Sequence, residues 1–181
     1  MEDSSASVFQ DVTANVSSFG TFTALDVDVT GGLAVLGSRK ALVLFDLEHP
    51  YQPSEKLYSQ SRYDVAVVKW NKNQAYKERL ASTSNELVLL WNCEDDSRPL
   101  VTTLRKHTRA VTDVSWSMLN PLLLATCSSD SCIHVWDTRR SHDPVQTFRA
   151  PHRGAMQVEW NRVNHSLLAS AHEKEIRIWD T

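Results

Sequence analysis

Five side chains in the second half of the chain have the types and spacing for chemistry or for a buried relay: His107, Thr126, Ser128, Asp130 and Trp136. A serine, a histidine and an aspartate are the residues of a nucleophilic hydrolase, in which the imidazole activates the hydroxyl and the carboxylate orients the imidazole. Such a site also needs a sharp nucleophile turn and an oxyanion-binding loop, and neither pattern accompanies these residues. A structural relay is therefore favoured over a catalytic triad.

In a relay the same groups satisfy each other's hydrogen bonds, because a buried polar group without a partner costs about 1–3 kcal/mol. We predict a hydrogen-bonded chain of His107, Ser128, Asp130 and Trp136. Residues two apart on a strand point to the same face, so Thr126 is the alternative to Ser128. The sequence leaves the choice between the two hydroxyls open, and we assign Ser128.

The elements that carry these residues recur along the chain. Four segments end in an apolar residue, a ring and an acidic or amide residue, and their rings lie 46, 45 and 43 residues apart. These endings are Leu44-Phe45-Asp46, Leu90-Trp91-Asn92, Val135-Trp136-Asp137 and Ile178-Trp179-Asp180. A second series of rings precedes the last three endings, at Trp70, Trp116 and Trp160. Alternation of apolar and polar residues around both series indicates strands.

A period of about 40–45 residues with four strands per unit is that of a WD-repeat β-propeller blade. We therefore predict an all-β WD-repeat β-propeller with four blade-length repeats, whose signature is Trp70, Trp91, Trp116, Trp160 and Trp179. The predicted divisions are an amino-terminal strand in 1–20, blade 1 in 21–62, blade 2 in 63–106, blade 3 in 107–151 and an incomplete blade 4 in 152–181. Because a seven-bladed ring needs about 300 residues, we expect part of such a ring.

A closed four-bladed arrangement is the alternative to a partial ring. Val8–Asp11 would then supply the fourth strand of the last unit. In the other units the sequence predicts fourth strands at Glu55–Tyr58, Leu100–Leu104 and Val145–Phe148.

The repeats carry unequal polar support. Six residues before the closing ring the four units have Arg39, Asn85, Asp130 and Glu173, so only the third unit keeps an aspartate. His152 is expected to precede blade 4 as His107 precedes blade 3. In the first unit Asp28 is expected near the tryptophan position, and His172 beside Glu173 is expected to be a surface turn pair. Blade 3 should therefore be the most robust.

Composition excludes several classes of function. The net charge of −3 disfavours a general nucleic-acid binder. No apolar run approaches the ~18 residues that span a bilayer, and the first residues lack a signal-peptide pattern, so we expect a cytoplasmic protein. Three cysteines, Cys93, Cys127 and Cys132, include no C-x-x-C pair, and five glycines offer no phosphate-binding loop. We therefore expect no enzyme activity, no cofactor and no metal.

The connectors between the repeats resemble one family more closely than WD-repeat proteins in general. The matching segments are 46–50, 68–71, 103–109, 154–161 and 168–180. Together they resemble the amino-terminal propeller of the WD repeat-containing protein fifty-nine family, from about Val8 to the last residue. Two positions depart from the usual repeat, since Lys106 stands where a glycine usually precedes the histidine and Glu173 where the repeat prefers aspartate.

The resemblance implies a function. Members of that family are subunits of the positively acting GATOR subcomplex, which regulates the TOR kinase complex in response to amino acids at the lysosome or vacuole. It therefore implies a non-catalytic interaction scaffold with protein partners and no nucleic acid, which reaches the membrane peripherally through those partners. The alternative is a substrate receptor of a cullin ubiquitin ligase, because Trp136-Asp137-Thr138-Arg139 resembles an adaptor-binding ending with Arg139 as the partner contact.

Overall fold

The structure is a computed structural model, and it describes residues 20–51, 55–58, 62–140, 142–150 and 154–181. The predicted strand Val8–Asp11 and the predicted role of His152 lie outside these residues. The described residues form fifteen strands in four antiparallel sheets, with a short 3₁₀ turn at Gln74–Tyr76. The predicted all-β architecture of four repeated sheets is confirmed, and each sheet is called a blade below.

Strands that are adjacent in sequence are also adjacent in each sheet. Blade 1 contains β1 (Phe22–Val27), β2 (Leu33–Ser38), β3 (Ala41–Asp46) and β4 (Glu55–Tyr58). Blade 2 contains β5 (Val68–Trp70), β6 (Arg79–Ser84), β7 (Leu87–Asn92) and β8 (Leu100–Arg105). Blade 3 contains β9 (Val111–Trp116), β10 (Leu123–Ser128), β11 (Cys132–Asp137) and β12 (Gln146–Arg149). Blade 4 contains β13 (Gln157–Trp160), β14 (Leu167–Ala171) and β15 (Ile176–Asp180).

The register corrects one expectation about blade 1. Val27 is opposite Ala34, which is opposite Phe45, just as Trp70 is opposite Leu80 in blade 2. Val27, and not Asp28, therefore takes the tryptophan position. Asp28 follows the strand, and its carboxylate accepts the backbone N–H of Leu33 at 2.9 Å to close the turn. The sequence misled because Asp28 lies one residue beyond a strand that has no tryptophan to mark the position.

The blades pack face to face, and three apolar clusters fill the spaces between them. We call the side of a blade that packs on the following blade its trailing face, and the opposite side its leading face. The first cluster joins Val35, Leu42 and Leu44 of blade 1 to Val68, Trp70, Leu80 and Trp91 of blade 2. Equivalent clusters join blade 2 to blade 3 and blade 3 to blade 4. Each large apolar side chain buried in this way contributes about 1.5–3 kcal/mol.

Strands β1, β5, β9 and β13 are the first strands of their blades, and we call them the inner strands. Residues of all four line one cavity of about 350 Å³, among them Lys69 and Asp113. The four inner strands therefore meet at this cavity.

Candidate functional site

The polar chain predicted for blade 3 is present and buried. The indole of Trp136 donates from Nε1 to Thr126 Oγ1 at 3.0 Å. Thr126 Oγ1 is 2.8 Å from His107 Nε2, and His107 Nδ1 is 3.0 Å from Asp130 Oδ2. A carboxylate only accepts, so the bonds run in one direction when Nδ1 carries the proton of a neutral imidazole. Trp136 then donates to Thr126, Thr126 to His107, and His107 to Asp130.

The assignment of Ser128 to this chain is wrong, because Thr126 occupies that place. Ser128 Oγ donates instead to the backbone oxygen of Arg109 at 3.0 Å and accepts the N–H of Asp130 at 3.1 Å. The register between β9 and β10 shifts between Cys127 and Ser128, which displaces Ser128 toward the turn. Thr126 lies directly opposite His134, two residues nearer than Ser128 to Leu124, which is opposite Trp136. The sequence could not separate the two hydroxyls, because residues two apart on a strand point to the same face.

Asp130 closes the turn between β10 and β11 as well as the relay. Its Oδ2 accepts the N–H of Thr108 at 2.9 Å, and its Oδ1 accepts the N–H of Cys132 at 2.9 Å. Burial works against ionisation of this carboxyl, but these two N–H groups and His107 hold the pKa of Asp130 below its ordinary value. Asp130 therefore stays charged and joins the loop before β9 to the turn between β10 and β11.

A second imidazole lies against the relay. The ring of His134 is 4.3 Å from the ring of His107, and His134 Nδ1 is 2.8 Å from Thr147 Oγ1. Burial, followed by the charge of His107, lowers the pKa of His134 to about 4. Burial also lowers the pKa of His107, although Asp130 acts in the opposite direction. Both rings are therefore neutral at pH 7.

The buried relay presents no accessible nucleophile. Thr126 and Ser128 are each 0% exposed. Burial raises the pKa of the Cys127 thiol to about 12, so this group stays protonated. What the arrangement does chemically is satisfy the polar atoms of packed strands.

Blade 4 builds a similar relay from different sequence positions. Trp179 Nε1 donates to Ser170 Oγ at 2.8 Å, Ser170 Oγ is 2.9 Å from His172 Nε2, and His172 Nδ1 is 3.3 Å from the backbone oxygen of Gly154. The expectation that His172 belongs to a surface turn is wrong, since it is 7% exposed. Sequence reasoning missed it because its imidazole comes from the turn after β14 and not from the loop before the inner strand.

The other predicted signature rings have separate environments. Trp91 Nε1 donates to Ser82 Oγ at 2.9 Å, and Trp116 Nε1 donates to the backbone oxygen of Lys69 at 3.1 Å. Trp70 Nε1 donates to the backbone oxygen of Lys77. Within the described part of the chain, Trp160 Nε1 is buried without a hydrogen-bond partner. Trp91 thus repeats the indole-to-hydroxyl bond of the closing rings Trp136 and Trp179, whereas the inner-strand tryptophans have no shared pattern of polar bonds.

Arg139, the candidate partner contact, lies on the surface at the end of β11. Its guanidinium binds the carboxylate of Asp137 at 2.6 Å, and its side chain is 66% exposed. Hydrogen bonds from Arg139 lower the pKa of Asp137. The geometry leaves part of the guanidinium facing solvent, and the contact with a partner stays a prediction.

Polar side chains of the inner strands also bind the edge of the following inner strand. Asp26 Oδ2 accepts the N–H of Trp70 at 2.7 Å. Between blades 3 and 4, Asp113 Oδ2 accepts the N–H of Val158 at 3.1 Å and Ser115 Oγ accepts the N–H of Trp160 at 3.2 Å. These bonds satisfy backbone groups that a free strand edge would expose.

Neither a metal site nor a membrane-spanning helix is found among the described residues. Within residues 20–51, 55–58, 62–140, 142–150 and 154–181, no three His, Cys, Asp or Glu side chains are arranged to hold a metal ion. None of the three cysteines forms a disulfide. The same part of the chain contains no helix with the length and apolar character to cross a membrane.

Repeated four-stranded blades, two series of tryptophans with one period and a buried His–Thr–Trp relay together define a WD-repeat β-propeller. The pattern described as "WD domain, G-beta repeat" matches residues 98–137. A solved structure, "Crystal Structure of Mitotic Checkpoint Complex", superposes with a TM-score of 0.75 at 20% identity over 86% of this chain and 46% of that chain. The fold is therefore that of a WD-repeat propeller.

Sequence comparison narrows the class. The chain is 37% identical over 158 residues to the human GATOR2 complex protein WDR59, covering 87% of this chain and 16% of that protein. It is 40% identical to an uncharacterized RWD, RING finger and WD repeat-containing protein of Schizosaccharomyces pombe, over 87% of this chain and 12% of that protein. The chain is a WD-repeat protein homologous to the WDR59 proteins, and it spans about an eighth to a sixth of the length of these relatives.

Proposed function

We propose that the chain is a non-catalytic interaction scaffold within a GATOR-type complex. The observation that carries this proposal is the 37% identity to GATOR2 complex protein WDR59, which extends over 87% of the chain. The structure is consistent with it, because the hydroxyls, imidazoles and carboxylate that could do chemistry are used to hold blade 3 together. Binding by loops on a rigid β framework is a common use of such folds.

The proposal extends to regulation and location. As a part of such a complex, the chain would act positively on TOR signalling in response to amino acids, and it would reach the lysosomal or vacuolar membrane through protein partners. Partner specificity would lie in the connectors 47–62 and 92–100, because the repeated strands are occupied in packing. Exposed acidic side chains such as Glu94 and Asp96 offer charged contacts in the second connector.

The four blades would form part of a wider ring. The apolar side chains on the trailing faces of blades 1 to 3 are buried by the following blade, whereas Ile176 and Ile178 on the trailing face of blade 4 are 75% and 64% exposed. Exposed apolar surface of this kind marks a packing site.

Affinity capture of the tagged chain from cells tests the scaffold proposal. Mass spectrometry of the captured proteins should find other subunits of the GATOR-type complex. Asp96→Lys should reduce their recovery without changing the melting temperature, whereas Arg139→Ala should leave recovery intact. Folded chain that recovers none of these subunits would overturn the proposal. Capture of a ubiquitin-ligase adaptor that is lost with Arg139→Ala would instead favour a substrate receptor of a cullin ubiquitin ligase.

A further inference from the structure

Exposed cations are concentrated at one end of blades 2 and 3. Residues 105–109 read Arg-Lys-His-Thr-Arg, and no Asp or Glu occurs from 97 to 112. Arg105 ends β8 and Arg149 ends β12, the outermost strands of blades 2 and 3. Because these two strands are equivalent in the repeat, the two arginines lie at the same end of their blades. We call the following four exposed residues the basic edge: Arg105, Lys106, Arg109 and Arg149.

Hydrogen bonds hold the two segments of the basic edge side by side. Arg149 is opposite Cys132 in the pairing of β11 with β12. The N–H of Cys132 donates to Asp130 Oδ1 at 2.9 Å, and the N–H of Thr108 donates to Asp130 Oδ2 at 2.9 Å. The loop that carries three of the cations therefore lies beside the strand end that carries the fourth.

The loop is also fixed on both sides of Thr108. The preceding residue, His107, is held by the relay through its contact with Asp130. The backbone oxygen of the following residue, Arg109, accepts a hydrogen bond from Ser128 Oγ at 3.0 Å. A surface that is already ordered loses little conformational freedom when it binds a partner. The polar contacts of blade 3 thus preorganise the basic edge.

Most cations of the basic edge have no carboxylate partner. Lys106 Nζ is 2.8 Å from Asp143 Oδ1. Within the part of the chain that the structure describes, no ion pair is formed by the other three members, Arg105, Arg109 and Arg149. Two neighbouring carboxylates are already engaged, since Asp130 is part of the relay and Glu86 accepts the side-chain amide of Asn85. The side chain of Asp130 is also only 6% exposed.

The chemistry of the basic edge favours the carboxylates of a peptide. Three of its four members are arginines, whose planar guanidinium groups bind a carboxylate through two parallel N–H bonds. An anionic membrane is disfavoured, because no large apolar side chain is exposed within 105–110 or 129–131, and peripheral binding draws on apolar burial as well as charge. A nucleic acid is disfavoured by the net charge of −3.

We propose that the basic edge docks a peptide segment rich in Asp and Glu from a protein partner. Carboxylates of that segment pair with Arg105, Arg109 and Arg149. The basic edge lies at the opposite end of β8 from the connector 92–100, so it is a separate surface from that connector. Docking here does not depend on membership of a GATOR-type complex.

Fluorescence anisotropy of a labelled peptide tests the docking site in the full 181-residue chain. The probe is a peptide of alternating Glu and Gly residues, and the same peptide with Gln in place of Glu is its neutral control. Arg105→Gln combined with Arg109→Gln should raise the dissociation constant at least about tenfold, because charge-assisted hydrogen bonds are lost. Arg162→Gln is the matched control and should leave the constant unchanged, since this side chain is 75% exposed but lies in the loop after β13.

The outcomes separate specific docking from its alternatives. Circular dichroism should show that all variants fold, because the substituted side chains are exposed. Equal weakening by Arg162→Gln would overturn the proposal, since binding would then follow overall charge. Equal binding of the Gln peptide would also overturn it, as would tighter binding to phosphatidylserine vesicles than to the Glu peptide. A chain that binds the Glu peptide but recovers no GATOR-type subunits would support the docking site and overturn only the proposed complex.

Discussion

Blades 3 and 4 each contain a buried imidazole that bonds to a hydroxyl, but the histidine comes from a different position in each blade. In blade 3, His107 lies in the loop before the inner strand and ends on the Asp130 carboxylate, whereas in blade 4 His172 lies in the turn after β14 and ends on the Gly154 backbone oxygen. In both blades a hydroxyl joins the imidazole to the closing indole. What is maintained is a polar bridge from indole to loop, and more than one sequence position can supply it.

The two blades also differ in what surrounds the imidazole. Blade 3 places His134 opposite Thr126, whereas blade 4 places Arg177 opposite Ser170. Arg177 binds Glu175 at 2.6 Å and is partly exposed, so its charge is solvated. Blade 3 therefore depends on two neutral rings in a buried space, and blade 4 does not. This difference predicts that the blades respond unequally to substitution and to acid.

The largest effect is expected from Thr126→Val in blade 3. This change leaves Trp136 Nε1 and His107 Nε2 buried without their partner, which should lower the free energy of unfolding by about 2–4 kcal/mol. Urea unfolding followed by circular dichroism measures it. Thr126→Ser is the matched control, because it keeps the hydroxyl. If Ser128→Ala costs more than Thr126→Val, the relay described for blade 3 is wrong.

Acid should destabilise the protein through His134. Its pKa is lowered to about 4 in the folded chain and is near 6.5 when unfolded, so the unfolded state binds more protons between these values. Stability is full above pH 6.5 and falls as the pH drops toward 4, by about 2–3 kcal/mol. Lys106 and Arg149 strengthen this effect, whereas Asp130 opposes it.

The free energy of unfolding measured against pH tests this assignment. His134→Gln removes one titrating ring and should reduce the slope of the curve between pH 6.5 and 4, while the buried ring of His107, whose pKa is also lowered, still contributes with the same sign. An unchanged slope in that variant would show that another group is responsible.

Removal of the two relay histidines should have unequal consequences. His107→Ala leaves the Asp130 carboxylate short of one partner in a buried site, whereas His172→Ala exposes only a neutral backbone oxygen. We expect His107→Ala to cost about 1 kcal/mol more than His172→Ala, because charged groups lose more when unpaired. Melting temperatures of both variants, compared under one buffer condition, decide the order. Equal losses would mean that the carboxylate does not distinguish the blades.

The smallest effect is expected at the turn of blade 3. Ser131 has a φ of 69°, in the left-handed region that favours glycine. Ser131→Gly should therefore raise the free energy of unfolding by about 0.5 kcal/mol. Lys174 is the corresponding residue of blade 4 and is not among the described residues with positive φ, so Lys174→Gly should lower stability. A gain from both substitutions would contradict the backbone explanation.

The sequence predicted the fold well because two separate series of aromatic residues indicate the same repeat. The closing rings and the inner-strand tryptophans share one period, and the fourth strands predicted at Glu55–Tyr58, Leu100–Leu104 and Val145–Phe148 are observed at Glu55–Tyr58, Leu100–Arg105 and Gln146–Arg149. Alternation fixes which side chains share a face. Alternation does not fix which residues are opposite each other when a bulge shifts the register. Ser128 was assigned wrongly for that reason.

His172 shows a second limit of sequence reasoning. A histidine beside a glutamate in a polar turn has the composition of a surface residue, and only the close approach of the two blades buries it. Gly154 permits that approach, because a Cβ there would lie 2.7 Å from Ser129 Cα. Contact between turns of different blades depends on packing, which no local pattern reports.

By itself the sequence determined the repeat period, the strand order and the class of protein, because these depend on short-range alternation and on recurring rings. The tertiary structure decided which hydroxyl completes the relay, where His172 lies, and which apolar faces remain open. Those outcomes depend on distances between segments far apart in the chain. Such distances are set when blades pack to bury apolar surface, and the polar bridges then form wherever packing brings partners within hydrogen-bond reach.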